Sequence, residues 1–219
     1  MEMIRKKTKK NKNFYWGLKP NPILESFISS IPKGKALDLG GGEGKNSFFL
    51  AQNGFEVEIV DKNQRSLEKC RSFADEHKLP IKTVLSDIGN FNFTDDYYSL
   101  IISIVALDFL KKSEIEILIE RIKKSLVDNG FVFLMVFSTE DPLYQKIIEA
   151  GLKEIEENTF YLPKFGIFRH FFTRDEIQEK FKDFKIVLFE QKQISDTGHN
   201  KPHYHNVIRL LAKKEKTAE

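Results

Sequence analysis

One cysteine, Cys70, stands among the 219 residues, so no disulfide can close within the chain, as expected of a protein kept in the reducing cytoplasm. Long hydrophobic runs are also missing. The longest, Phe131 to Phe137, is far shorter than the ~20 residues needed to span a bilayer. The basic start Met1-Glu2-Met3-Ile4-Arg5-Lys6-Lys7 leads into no hydrophobic stretch and does not read as a secretory signal. Neither sign of charge dominates: 35 Lys+Arg face 32 Asp+Glu. Beyond the basic run from Arg5 to Lys12 the two signs are interspersed, without the basic stripe of a nucleic-acid binder. Tryptophan occurs once against 20 phenylalanines, which points to a phenylalanine-rich core. With 41% hydrophobic and 31% charged residues, the chain has the composition of one soluble globular domain.

Residues 1–20 read as a basic tail and possible lid, and residues 21–219 as a single domain. Asn21-Pro22 is an N-cap followed by a residue suited to the first helical position, and Ile23, Leu24, Phe27, Ile28 and Ile31 repeat at helical spacing. Apolar strands at Ala36 to Leu39, Val57 to Val60, Ile81 to Leu85, Leu100 to Val105 and Phe131 to Phe137 alternate with helical stripes. That rhythm builds a parallel sheet with right-handed crossovers. Ser113 to Glu116 and Thr173 to Glu176 read as capping boxes opening helices. The rhythm breaks over residues 141–172, which are expected to form a cap: a helical stretch as far as Ile155, then an aromatic loop. Phe184 to Phe189 and Val207 to Ala212 are joined by too little chain for a parallel crossover and should pair antiparallel. The expected fold is α/β, a doubly wound Rossmann-like sheet of about seven mostly parallel strands with a C-terminal antiparallel hairpin.

The sharpest motif is Asp38-Leu39-Gly40-Gly41-Gly42-Glu43-Gly44, between the first strand and the first helix of the alternation. Ligands bind at that position in doubly wound sheets. Gly40 and Gly42 permit a tight turn and close approach to the backbone. Asp61 follows 21 residues after Gly40, the spacing at which a carboxylate reaches ribose hydroxyls. A dinucleotide would bring pyrophosphate to this loop, yet Asp38 places an acid at the strand end, and Lys45 occupies the position of the third glycine of that pattern. An acid repels phosphate and attracts ammonium. S-adenosylmethionine has an ammonium, a sulfonium and a ribose diol and carries no phosphate, so the loop suits it better.

The stretch LDLGGGEGKNSFFLAQNGFEVEIVD resembles the cofactor-binding region of class I S-adenosylmethionine-dependent methyltransferases. The pattern of glycine loop, Asn46, Leu50-Ala51 and Gly54 is most similar to the small-molecule methyltransferases of the tellurite-resistance type, which usually carry Cys where this chain has Gly41. That difference is expected to matter little for backbone contacts. The resemblance implies roles for particular residues. Gly40 and Gly42 would touch the methionine part of S-adenosylmethionine, with Asp38 near its ammonium. Asp61 would hold the ribose, with Lys62 beside it. Asp87 and Ile88 would receive the adenine, and Ile104 and Val105 would pack near the adenosyl and sulfonium groups. The function it implies is methyl transfer to a small-molecule acceptor, with no membrane partner.

Methyl transfer requires alignment of the acceptor and exclusion of water, with no nucleophilic side chain. On the acceptor side, the expected contributors are Tyr15 and Trp16 before the first helix, Arg169 and His170 in the cap, and His199 in the final hairpin loop. His203 and His205, expected in the same loop, are the candidate proton acceptors or acceptor ligands. His199, His203 and His205 have a spacing that can gather imidazoles around a metal, but no adjacent acid or cysteine completes the set, so no metal is expected. Ser103-Ile104-Val105-Ala106 stands where methyltransferases acting on exocyclic base amines resemble an Asn/Asp/Ser-Pro-Pro-aromatic motif. Nucleic acid is therefore the weaker expectation, with an RNA-directed enzyme or a non-catalytic cofactor-binding module as the alternative functions.

Overall fold

The computed structural model describes residues 14, 15, 17–196 and 203–216. The basic run, Trp16 and His199 lie outside them. Helix α1 (Pro22–Phe27) starts as its sequence dictates: the Asn21 side chain accepts from the Ile23 N–H at 3.0 Å. Then follow β1 (Lys35–Leu39), α2 (Lys45–Gln52), β2 (Glu56–Asp61), α3 (Gln64–His77), β3 (Ile81–Leu85) and β4 (Tyr98–Ile104). Helix α4 (Lys112–Ser125) leads into β5 (Leu126–Phe137). After the cap come α6 (Arg174–Lys180), β9 (Phe184–Asp196) and β10 (His203–Lys214).

Seven strands form one sheet in the order β3-β2-β1-β4-β5-β10-β9. The first five are mutually parallel, and β10 runs antiparallel to both β5 and β9. Strand order reverses between β1 and β4, so the crevice beyond their carboxyl ends is the ligand-binding position of such a sheet. The central strands are buried on both faces, which is why they read as unbroken apolar runs. Ile115, Leu118, Ile119 and Ile122 of α4, with Ile177 and Phe181 of α6, cover one face. Leu24, Leu50 and Ala51, with Phe160 and Phe171 from the cap, cover the other.

The structure departs from the sequence expectations at three places. The first is the start of α4, whose N-cap is Lys111 rather than Ser113: the Glu114 carboxylate accepts from the Lys111 N–H at 2.9 Å. Ser113 is engaged elsewhere, donating its N–H and its hydroxyl to Glu156 of the cap at 2.8 and 2.9 Å. In the second, residues 154–170 form a three-stranded antiparallel meander in place of a loop: β6 (Glu154–Glu156), β7 (Thr159–Leu162) and β8 (Ile167–His170). The cap helix α5 (Pro142–Glu149) is correspondingly short. Phe160, Leu162 and Phe171 fold inward from this meander, satisfying an apolar face that a loop would leave exposed. The third concerns the final hairpin, whose strands extend further than their apolar cores. His203 and His205 therefore lie on β10, His203 opposite Asp196 and His205 opposite Ile194. Among the described residues no helix is long and apolar enough to cross a membrane.

Candidate cofactor and acceptor site

The glycine loop turns directly from β1 into α2. At Gly40, with φ +71°, an added Cβ would sit 2.4 Å from the Ala106 Cβ, so the loop and the end of β4 touch through a missing side chain. At Gly42 an added Cβ meets nothing within 4 Å, and the backbone there faces open space. Gly41 is different: a Cβ would strike Ile59 at 2.6 Å and the Asp38 carboxyl carbon at 2.7 Å. Replacing glycine with cysteine at position 41 is thus consequential for side-chain packing, a separate matter from the backbone contacts of the loop.

Asp38 is buried, 1% exposed, and accepts from the Ser47 hydroxyl at 2.7 Å. Burial is the main force on its acidity, and the neighbouring Asp61 adds to it; together they push its pKa up to about 7, against the opposing Ser47 hydrogen bond. Asp61, at the end of β2, accepts from the Gly42 N–H at 2.9 Å and from the Asn63 N–H at 2.8 Å. It therefore clasps the glycine loop to the second strand. Two carboxylates thus flank the loop, and Lys45, its pKa lowered by burial, stands within electrostatic reach of Asp38. Lys62 beside Asp61 is exposed.

A cleft of about 360 Å³ opens against Gly42 and Glu43, lined also by Asn63, Ser66 and Lys69 and bordered by Tyr15. Glu43 accepts from the Tyr15 N–H at 2.6 Å and pairs with Lys69. Phe14 meets Phe48 and Phe73 edge-on, anchoring this approach segment. At the end of β3, Asp87 accepts from the Gly89 N–H at 2.9 Å and Ile88 is buried in the core beside it. Ile104 and Val105 are half-buried at the end of β4. Val105 has φ +54°, a strained backbone for a β-branched residue.

The residues expected on the acceptor side divide into two groups. His170 is fully buried: one ring nitrogen lies 2.8 Å from the Thr159 hydroxyl and the other 3.3 Å from Glu176. Both of its nitrogens are thereby engaged inside the cap, and Glu176 is drawn from the reciprocal half of its expected capping box. Arg169 points the other way, its guanidinium 4.2 Å from the Phe109 ring centroid and 5.1 Å from that of Phe137. Its Nε and Nη1 have no hydrogen-bond partner among the described residues. Nearby Asp108 is buried and accepts from the Phe137 N–H at 2.5 Å; burial raises its pKa to about 6 despite the opposing Arg169 charge.

The Phe137 ring also stacks on His205, with ring centroids 4.4 Å apart. His205 Nδ1 lies 2.9 Å from Asp141 Oδ2, and its Nε2 lies 3.0 Å from His203 Nε2. The acid missing from the sequence pattern is supplied by Asp196, whose Oδ2 is 3.8 Å from His205 Nε2 and 3.9 Å from His203 Nε2. Asp196 also acts electrostatically on Lys45 at the start of α2, as Asp38 does. Sequence reasoning missed Asp108, Asp141 and Asp196 as site residues. Asp141 was legible only as the first residue of the cap, and Asp196 showed no signal.

A seven-stranded sheet of this order, with a glycine loop after β1 and an acid closing β2, has the fold of the class I S-adenosylmethionine-dependent methyltransferases. The family described as "Tellurite resistance protein TehB" matches residues 21–164. The chain belongs to this TehB family. A probable S-adenosyl-L-methionine-dependent methyltransferase TehB from Haemophilus influenzae is 30% identical over 134 residues, 58% of this chain and 46% of the relative. The chain thus spans about half the length of the curated relative it matches. The crystal structure of TehB from Haemophilus influenzae superposes with a TM-score of 0.71 at 24% identity, covering 89% of this chain and 62% of that one. An S-adenosylmethionine-dependent methyltransferase from Methanosarcina mazei superposes with a TM-score of 0.71 at 20% identity, covering 90% and 99%.

Proposed function

We propose that this protein transfers a methyl group from S-adenosylmethionine to a small, anionic acceptor. The observation carrying this reading is the pair of carboxylates around the glycine loop: Asp38, buried and pushed up to about 7, beside Asp61. A buried acid next to another acid favours a cationic guest and disfavours a pyrophosphate. The open space before Gly42 leaves room for that guest against the backbone. Asp61 would hold the ribose while keeping the loop closed, with Lys62 at its rim. Asp87 and Ile88 would receive the adenine, and Ile104 and Val105 would border the sulfonium.

Bound S-adenosylmethionine supplies an activated methyl group whose displacement needs no nucleophile from the protein. The chain's own contribution is positioning and exclusion of water, which in favourable systems is worth ~7–11 kcal/mol. Residues 141–172 would cover the acceptor, with Tyr15 closing the cofactor side. Arg169 has two guanidinium nitrogens without a partner among the described residues and favours an acceptor carrying carboxylate or oxyanion oxygens. The family's description as tellurite resistance proteins agrees with a chalcogen oxyanion as one such acceptor. His203 and His205 would stand beside the methyl group to take the acceptor's proton or hold its oxygen.

Calorimetry with S-adenosylmethionine tests the cofactor side. The full chain is expected to bind it and not NAD, and Asp61→Ala is expected to weaken binding roughly ten- to hundredfold, the worth of a hydrogen bond to a charged group. Transfer of labelled methyl from S-adenosylmethionine to tellurite, selenite or a small carboxylate tests the acceptor side. Binding of NAD with no binding of S-adenosylmethionine would overturn the proposal.

A further inference from the structure

We infer that His203, His205 and Asp196 form a binding site for one divalent transition-metal ion of the zinc class. The backbone sets up this arrangement. His203 and His205 are two apart on β10 and share one face of the strand, and Asp196 of β9 is the direct cross-strand partner of His203. Antiparallel pairing therefore delivers all three side chains to one point at the end of the hairpin.

The distances fit an ion. The three facing atoms, His203 Nε2, His205 Nε2 and Asp196 Oδ2, are separated by 3.0, 3.8 and 3.9 Å. The point equidistant from the corners of such a triangle lies about 2.1 Å from each, the length of a zinc–nitrogen or zinc–oxygen bond. The chemistry of the donors fits as well. Asp141 Oδ2 already accepts from the Asn206 N–H at 2.9 Å, so its contact with His205 Nδ1 requires that nitrogen to carry the proton. The lone pair of His205 then resides on Nε2, directed at a second imidazole nitrogen and a carboxylate oxygen. With His203 in the tautomer that leaves its own lone pair on Nε2, three electron-pair donors converge on one point, the arrangement that a cation fills.

The surrounding shell has the form that metal sites use. A ligating imidazole usually donates its other N–H to a carboxylate, which fixes the tautomer and the ring orientation. Asp141, 1% exposed, does this for His205, and the Phe137 ring holds the imidazole plane from the side. Two imidazole nitrogens with one carboxylate favour zinc-like ions over magnesium or calcium, and they leave a coordination position for water or an acceptor oxygen. With an ion bound, the two histidines would serve as ligands, and the proton-accepting role would pass to whatever occupies that position. The inference stands apart from the methyl-transfer reading, since none of its geometry invokes the cofactor.

The test is a titration of the chelator-stripped full chain with Co(II), followed by its visible absorption, and then displacement with Zn(II). One equivalent of Co(II), bound with the intense spectrum of a low-coordinate site and released by Zn(II), is the expected result. His203→Ala and Asp196→Asn should each abolish that spectrum. Asp141→Asn, which does not touch the ion, should weaken its affinity ten- to hundredfold. Thermal unfolding of each variant identifies any that fail to fold, and His203→Gln replaces His203→Ala if that one does. Absence of Co(II) binding in the wild-type chain, or binding unchanged in folded His203 and Asp196 variants, would overturn the inference and leave a shared proton between the imidazoles. Binding of S-adenosylhomocysteine measured on the same sample reports separately on the methyltransferase reading.

Discussion

Asp141 accepts the Nδ1 proton of His205 at 2.9 Å, joining the start of the cap to the last strand of the sheet across 64 positions of sequence. The same carboxylate caps α5 by accepting from the Leu143 N–H at 2.8 Å, and it accepts from the Asn206 N–H at 2.9 Å. One buried acid thus serves three donors from two elements. The cap and the histidine pair are positioned by a common group.

Asp141→Ala is expected to destabilise the protein by about 2–4 kcal/mol in urea unfolding. It removes an N-cap, worth roughly 0.5–2 kcal/mol, and leaves two buried donors unsatisfied at about 1–3 kcal/mol each, partly relieved by water. Asp141→Ser restores the cap alone and should recover about 1 kcal/mol. An alanine variant as stable as the wild type would show that water replaces the carboxylate without penalty.

Asp38 predicts a pH dependence whose sign follows from its raised pKa of about 7. In the folded protein without ligand, the acid holds its proton more tightly than in the unfolded chain. Its contribution to stability is therefore fully present below about pH 4 and is lost as pH rises through about 7. Affinity for a cationic cofactor should run the opposite way, rising across the same window as the carboxylate ionises. Isothermal calorimetry from pH 5.5 to 8.5 measures this as up to ~tenfold tightening per pK unit of ligand-induced shift. Asp38→Asn should flatten the profile while keeping the Ser47 hydrogen bond in reach. A wild-type profile that is level, or that falls with pH, would exclude Asp38 as the ammonium's partner.

Gly41 predicts a packing defect. A Cβ there would lie 2.6 Å from Ile59 and 2.7 Å from Asp38. Gly41→Cys, which installs the residue usual in the similar tellurite-resistance enzymes, should cost about 1–3 kcal/mol as an overpacked substitution. Adding Ile59→Val should return part of that loss, and a double-mutant cycle would read the coupling directly. Strict additivity of the two changes would mean that the loop moves as a whole to make room.

The alternation of strands and helices was legible in the sequence because buried parallel strands such as Leu100 to Ile104 are continuous apolar runs, and helices such as α4 carry one apolar face. The glycine loop was legible for a similar reason: Asp38 to Gly44 is contiguous, and its partner Asp61 lies at a set spacing. Burial of Asp38 was not, since residue type alone does not tell a strand-end acid in solvent from one sealed behind Ser47. The cap meander escaped because Glu154 to Glu156 and Thr159 to Leu162 are too short to display an alternation. Asp196 and Asp141 escaped because what makes them part of a site is strand register and a contact across 64 positions, neither of which is a local pattern. Ser113 shows the same limit in miniature. It has the right chemistry for an N-cap, yet Glu156 claims it from the cap.

Arg169 provides the means to separate function from stability. The residue is 9% exposed, its guanidinium lies 4.2 and 5.1 Å from the Phe109 and Phe137 ring centroids, and its Nε and Nη1 have no partner among the described residues. Burial lowers its pKa, a sign that the fold holds this charge at a cost, with Asp108 and Asp141 offsetting part of it. Arg169→Met keeps the apolar stem between the two rings and removes the charge. Its unfolding midpoint should be equal to or above that of the wild type, because replacing an incompletely paired buried ion with an apolar side chain is often neutral or stabilising. Its KM for an anionic acceptor should rise at least tenfold, while its affinity for S-adenosylhomocysteine stays within twofold, because the cofactor carboxylates are elsewhere. Arg169→Lys should fall between the two for the acceptor, retaining charge without the planar fork that pairs with two oxygens. A methionine variant that loses stability and keeps its acceptor KM would make Arg169 a structural brace between the cap and β5, and the acceptor's negative charge would then need another partner.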